Sequence, residues 1–112
     1  MRYLILLFLA FLTLNCSSGD TSSSKPKEWY EGGTLHKANA REWNLATNEN
    51  KLATCGDFVS RADDSQSLEE IKRRATELRS CVNEATIEPG TDDMKVSEVA
   101  TLCIILLGYQ KK

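Results

Sequence analysis

An uncharged apolar run from Leu4 to Leu14 stops just short of Cys16 and gives way to serines, which limits how much of the 112-residue chain can fold. Arg2 places a positive charge before the run, the layout of a secretory signal with its basic n-region and apolar h-region. A spanning helix needs about 20 apolar residues to cross a hydrocarbon core of about 30 Å, so the run is too short for a permanent span. It is also a poor core helix, because it has no polar face to turn toward water. Residues 17 to 27 are dominated by serine and carry Gly19, Lys25 and Pro26, a composition that cannot bury enough apolar surface to offset the entropy of ordering. This stretch is expected to be a flexible tether with an r.m.s. reach on the order of 20 Å. What remains is Glu28 to Lys112, 85 residues and one small domain.

Periodicity predicts that this domain is all-α, a bundle of about four helices. Asn39 followed by Glu42 fits a capping box, opening a short helix to about Thr47 with Ala40, Trp43 and Ala46 on one face. A second start signal falls at Asn48, and Leu52, Cys55, Phe58, Val59 and Ala62 make a stripe from there, although Gly56 lowers helix propensity in its middle. Ser67 followed by Glu70 is another capping box, and behind it Leu68, Ile71, Ala75, Leu78, Cys81 or Val82, and Ala85 recur every three or four residues. Pro89 and Gly90 break the pattern. The last helix, Val96 to Leu107, is apolar almost all round and ends at Gly108. Such a run predicts burial on most sides, as the central helix of the bundle. Ahead of the helices, Trp29 to Leu35 reads as an extended arm, with Gly32 and Gly33 allowing a tight bend.

Charge and chemistry point away from several functions. Removal of residues 1 to 15 takes Arg2 with it and leaves 13 basic against 16 acidic residues, net −3. No basic stripe with interleaved aromatics is present, so no nucleic-acid partner is expected. His36 is the only histidine and no two cysteines have CxxC spacing, so neither a metal site nor a cofactor is expected. A Cys/His nucleophile pair would have to recruit His36 from a glycine-rich arm. The acidic pairs Asp63-Asp64 and Asp92-Asp93 fall in turns, where aspartate satisfies backbone. The chain is therefore expected not to be an enzyme. Trp29, Tyr30, Gly32, Gly33 and His36 form the candidate binding surface, whereas Trp43 is expected in the core.

The apolar run ending at Cys16, with Ser17, Ser18 and Gly19 after it, resembles the signal and lipidation site of bacterial lipoproteins, with Asn15 where that signal usually carries a small residue. The resemblance implies cleavage after residue 15 and a diacylglyceryl thioether and N-acyl chain on Cys16, which anchor the chain to a membrane. Ser17 rather than aspartate after the cysteine implies the periplasmic face of the outer membrane. Three cysteines then remain in an oxidising compartment, and one disulfide plus one free thiol is the simplest count. Cys103 lies among Leu102, Ile104 and Ile105 like a small hydrophobe, whereas Cys55 and Cys81 have mixed polar neighbours, which favours Cys55 with Cys81. The alternative, Cys81 with Cys103, follows from their similar distances from Pro89 and Gly90 if the last two helices form an antiparallel hairpin.

Two further resemblances bear on function. Gly32 to Lys37, Glu42-Trp43, Asn50 to Val59, Ala75 to Asn83 and Val96 to Val99 are similar to a motif set in an uncharacterised family of small exported bacterial proteins, which carries no activity to transfer. Thr54 to Val59 and Val96 to Cys103 faintly resemble the two cysteine-bearing helices of Hde-type periplasmic acid-stress chaperones, and imply that those two cysteines pair. The expectation is a lipid-anchored, non-enzymatic binding module of the bacterial envelope with an envelope protein as partner. An Hde-like chaperone is the alternative.

Overall fold

The computed structural model describes residues 26 to 112. The signal, Cys16 and nearly all of the tether lie outside the described residues. Four helices follow one another, α1 Ala40–Leu45, α2 Asn48–Ala62, α3 Leu68–Thr86 and α4 Val96–Leu107, and no strand occurs among the described residues. The all-α bundle expected from periodicity is the fold observed.

Local chemistry explains most of the boundaries. The Asn39 side chain accepts from the Glu42 backbone N–H at 2.8 Å while Glu42 accepts from the Asn39 N–H at 2.9 Å, a complete capping box. α1 stops at Leu45, earlier than expected, as the Ala46 N–H closes a tight last turn on the Trp43 carbonyl. The cap of α2 is Thr47, whose hydroxyl accepts from the Asn50 N–H at 3.1 Å. At α3 Ser67 caps as expected, accepting from the Glu70 N–H. Glu70 does not complete the box, because its carboxylate is taken by Arg73 and Arg74. α4 ends where Gly108 adopts φ +77, a conformation that costs glycine nothing.

Helices α2 and α3 form an antiparallel pair. Their corner is polar, with the Asp63 carboxylate accepting from the Ser65 N–H at 3.0 Å, the Ser65 hydroxyl and Gln66 Nε2 at 3.1 Å. An antiparallel bridge between Asn39 and Lys95 ties the starts of α1 and α4 together, through Ala40 N–H to the Met94 carbonyl and Val96 N–H to the Ala38 carbonyl. The carbonyl of Thr86, at the end of α3, accepts from Asn44 Nδ2 of α1 and from the Thr91 hydroxyl. Trp43 is fully buried, as expected, and its indole N–H donates to Asn83 Oδ1 at 2.8 Å. Around it Val59, Leu78, Val82 and Val96 complete a core whose members all lie between Leu35 and Tyr109.

Two expectations are corrected. The disulfide joins Cys81 of α3 to Cys103 of α4, with Cα atoms 6.0 Å apart, and Cys55 is free and buried. The favoured Cys55–Cys81 pairing fails because Cys55 points from α2 into the core, whereas Cys81 lies at the α3–α4 seam. The Cys55–Cys103 pairing that the Hde resemblance implies is not made either. Second, α4 is not enclosed. Val96, Val99, Ala100, Cys103 and Ile104 face the core, but Leu102, Ile105 and Leu106 are 61%, 49% and 81% exposed. Among the described residues α4 has two other long helices as neighbours, α2 and α3, and both lie against its buried side.

Candidate functional site

The arm is held to α2 by backbone contact. A Cβ on Gly33 would lie 2.7 Å from the Thr54 nitrogen and 2.9 Å from the Ala53 carbonyl carbon, so only glycine lets the two backbones approach this closely. Beside it, the Thr34 N–H donates to Asn50 Oδ1 and Asn50 Nδ2 donates to the Thr34 hydroxyl, both at 2.8 Å. The Leu35 N–H donates to the buried Thr54 hydroxyl at 3.2 Å. Gly56, the apparent flaw in α2, has the matching purpose: a Cβ there would meet the Trp29 ring at 2.8 Å. Removing that methyl from the helix opens the seat in which Trp29 lies.

The candidate surface residues thus sit together on α2, in different roles. The expected extended arm is folded at its start, where Glu31 N–H donates to the Glu28 carbonyl and Gly32 adopts φ +86. Trp29 is half-buried and meets Tyr30 edge to face at 5.6 Å, with Lys72 Nζ 5.9 Å over its ring. Tyr30 is exposed. A shallow cavity of about 320 Å³ runs between this turn and the start of α2, lined by Trp29, Gly32, Thr47 and Asn50. Its acidic rim of Glu28, Glu31 and Glu49 faces Lys27.

Further along the arm, His36 Nε2 lies 2.7 Å from Asp57 Oδ2, and the imidazole meets Phe58 edge to face at 5.6 Å. This pair tethers the arm to the middle of α2. No serine or cysteine side chain hydrogen-bonds to His36 among the described residues. Cys55 belongs to a different environment: burial pushes its thiol up to about 12, against a small opposing effect of Arg79, so it is a neutral apolar group at physiological pH. Among the described residues, no group of three His, Cys, Asp or Glu side chains gathers where it could hold a metal ion.

A second concavity, of about 460 Å³, was not anticipated from sequence. It lies between α2 and α4, with a floor of Phe58, Ala62, Ala100 and Ile104 and a rim of Arg61, Thr101, Gln110 and Lys111. One side of its rim is the tail after α4, which returns to α2 through Lys111 N–H to the Ala62 carbonyl at 3.1 Å. Tyr109 is buried under Arg74, whose guanidinium lies 4.8 Å over the ring. The groove is built by residues on two helices and a tail, so no local pattern announces it. Arg61 has no carboxylate within ion-pair distance among the described residues, whereas Lys111 Nζ lies 3.4 Å from Asp64.

At the α2–α3 corner the hydrogen bonds from Ser65 and Gln66, with Arg74 nearby, bring the Asp63 carboxyl down to about 2. Arg73 and Arg74 do the same for Glu70 through direct hydrogen bonds, also to about 2. Both carboxylates have structural partners, and neither faces the arm. No protein-family model matches the chain, and no curated protein or solved structure matches it significantly.

Proposed function

We propose that this protein is a lipid-anchored component of the bacterial cell envelope, held through Cys16 at the periplasmic face of the outer membrane, whose helical domain binds an envelope protein without catalysing a reaction. The observation that carries the binding reading is the seating of the arm. Two glycines, Gly33 and Gly56, together with the Thr34–Asn50 and His36–Asp57 pairs, hold Trp29 and Tyr30 at the surface in a defined place. A pre-set aromatic pair beside a shallow polar cavity costs little further ordering when a partner arrives. The Cys81–Cys103 bridge supports the exported address, because structural disulfides persist in oxidising compartments.

Two measurements test this reading. Intact mass of the protein extracted from membranes, before and after reduction, is expected to show residues 1 to 15 removed, acyl chains on Cys16 and one disulfide. A photo-crosslinking residue at Tyr30 is expected to give a discrete adduct in the envelope, and the same residue at Glu69, on the exposed face of α3, none. Equal labelling from both positions would remove the arm as the binding surface.

A further inference from the structure

We infer that the outer face of α4 is a lipid-docking surface, on which the domain lies against the anionic headgroups of the bilayer to which it is anchored. Leu102, Ile105 and Leu106 stand at i, i+3 and i+4 and so form one ridge, all exposed. Thr101 lies between this ridge and the α2–α4 groove, so the apolar strip continues from Leu106 across Ile105 to the groove floor at Ile104. Cations edge that strip. Arg61 stands on the groove rim with no carboxylate in reach among the described residues, beside Lys111, which is shared with Asp64, and Lys112 follows in the tail. The single carboxylate of α4, Glu98, lies one turn before Leu102, at the opposite end of the ridge. An apolar helix face with basic residues at its edge is the pattern of an interfacial helix, whose side chains enter the headgroup–acyl boundary while the cations meet phosphate.

This inference rests on the lipid-anchor reading for one thing, the bilayer's proximity. Residues 17 to 27 span at most about 40 Å fully extended, so a domain about 30 Å across stays at high effective concentration beside the membrane. At that range an uncovered ridge of three large aliphatic side chains meets lipid continually, and a modest intrinsic affinity suffices to hold it there. The tether is also long enough to let α4 turn toward the bilayer.

Vesicle co-sedimentation tests the surface without the anchor. The chain from residue 16 to residue 112, carrying Cys16→Ser, contains every core residue among the described residues and has no attached lipid. It is expected to pellet with vesicles of phosphatidylethanolamine and phosphatidylglycerol, and much less with phosphatidylcholine alone. The triple variant Leu102→Gln, Ile105→Gln and Leu106→Gln should lower the bound fraction about tenfold or more, since binding scales with buried apolar area. Arg61→Gln should lower it about fivefold, and more at low salt than at high. All four positions are exposed, and near-UV circular dichroism is expected to remain that of the parent. Absence of pelleting, or pelleting unchanged in the triple variant, overturns the inference. So does a dimer in light scattering that the triple variant abolishes, because a second copy then covers the ridge. Failure of the anchor appears separately, in the intact mass of the full chain.

Discussion

The arm on α2 and the outer face of α4 are opposite solutions to the same problem, how a small bundle treats residues that its core does not need. On the arm, Trp29, Gly33, Thr34 and His36 are each matched to a partner on α2: ring against Gly56, backbone against backbone, amide against hydroxyl, imidazole against carboxylate. On α4, Leu102, Ile105 and Leu106 are exposed and find no counterpart among the described residues. The difference teaches where substitutions act. Changes along the arm are felt by the fold, because contact there is close and mutual, whereas changes on the ridge leave the fold intact and register only in what the ridge touches.

The largest expected effect lies at the seam that makes the α4 face possible. Cys81→Ala/Cys103→Ala releases a link across 22 residues, and denaturant unfolding should report a loss of about 3 kcal/mol relative to the oxidised parent. Reduction without substitution should approach the same value. Next comes Gly33→Ala, where the added methyl meets backbone that cannot move aside. It should cost about 1–3 kcal/mol and loosen the arm, with faster hydrogen exchange at Thr34 and Leu35. Gly56→Ala sharpens the contrast. Alanine improves the helix by about 1 kcal/mol but displaces the Trp29 ring, so stability should change little while tryptophan emission shifts to the red.

Acid acts on a third place, the corner between α2 and α3. Asp63 and Glu70 are both held down to about 2, below the ordinary carboxylate values of about 4 in the unfolded chain. A depressed folded-state pKa contributes stability that is present above the unfolded value and is lost as pH falls through the folded one. Stability should therefore decline between about pH 4 and 2, and Asp63→Asn should flatten that decline. Loss of near-UV circular dichroism in this window, with capture of an unfolded client, would favour the acid-stress chaperone alternative; a fully retained signal at pH 2 would remove it. The smallest effect belongs to the ridge. Leu106→Gln should alter unfolding free energy by no more than about 0.5 kcal/mol, which makes it the cleanest probe of lipid docking.

Residues close in sequence were the legible ones. Asn39 with Glu42, and Ser67 with the Glu70 N–H, announce helix starts because cap and recipient are three residues apart. Gly108 announces the end of α4 for the same local reason. The N-cap at Thr47 differed by one residue from the expected start because threonine and asparagine offer the same acceptor chemistry. Gly56 was legible only as a weakness. Its use appears when Trp29, 27 positions earlier, is laid across it. The candidate surface on the arm could be named from composition, but not the roles within it, since Gly33 and His36 hold the arm in place while Tyr30 faces solvent. The groove beside Arg61 left no trace in the sequence.

The sequence by itself determined that residues 28 to 112 form an all-α bundle, with helix limits set by caps, glycines and the Pro89-Gly90 break, because those are contests between neighbouring groups along one chain. Tertiary structure alone decided which cysteines meet and which side of α4 stays uncovered. Both depend on how the long helices turn relative to one another: α2 and α3 occupy one side of α4, Cys81 is brought to Cys103 while Cys55 turns inward, and among the described residues no further helix covers Leu102 and Leu106. Hydrophobicity specifies that a side chain is better off out of water. It does not specify how many neighbours are available to remove it.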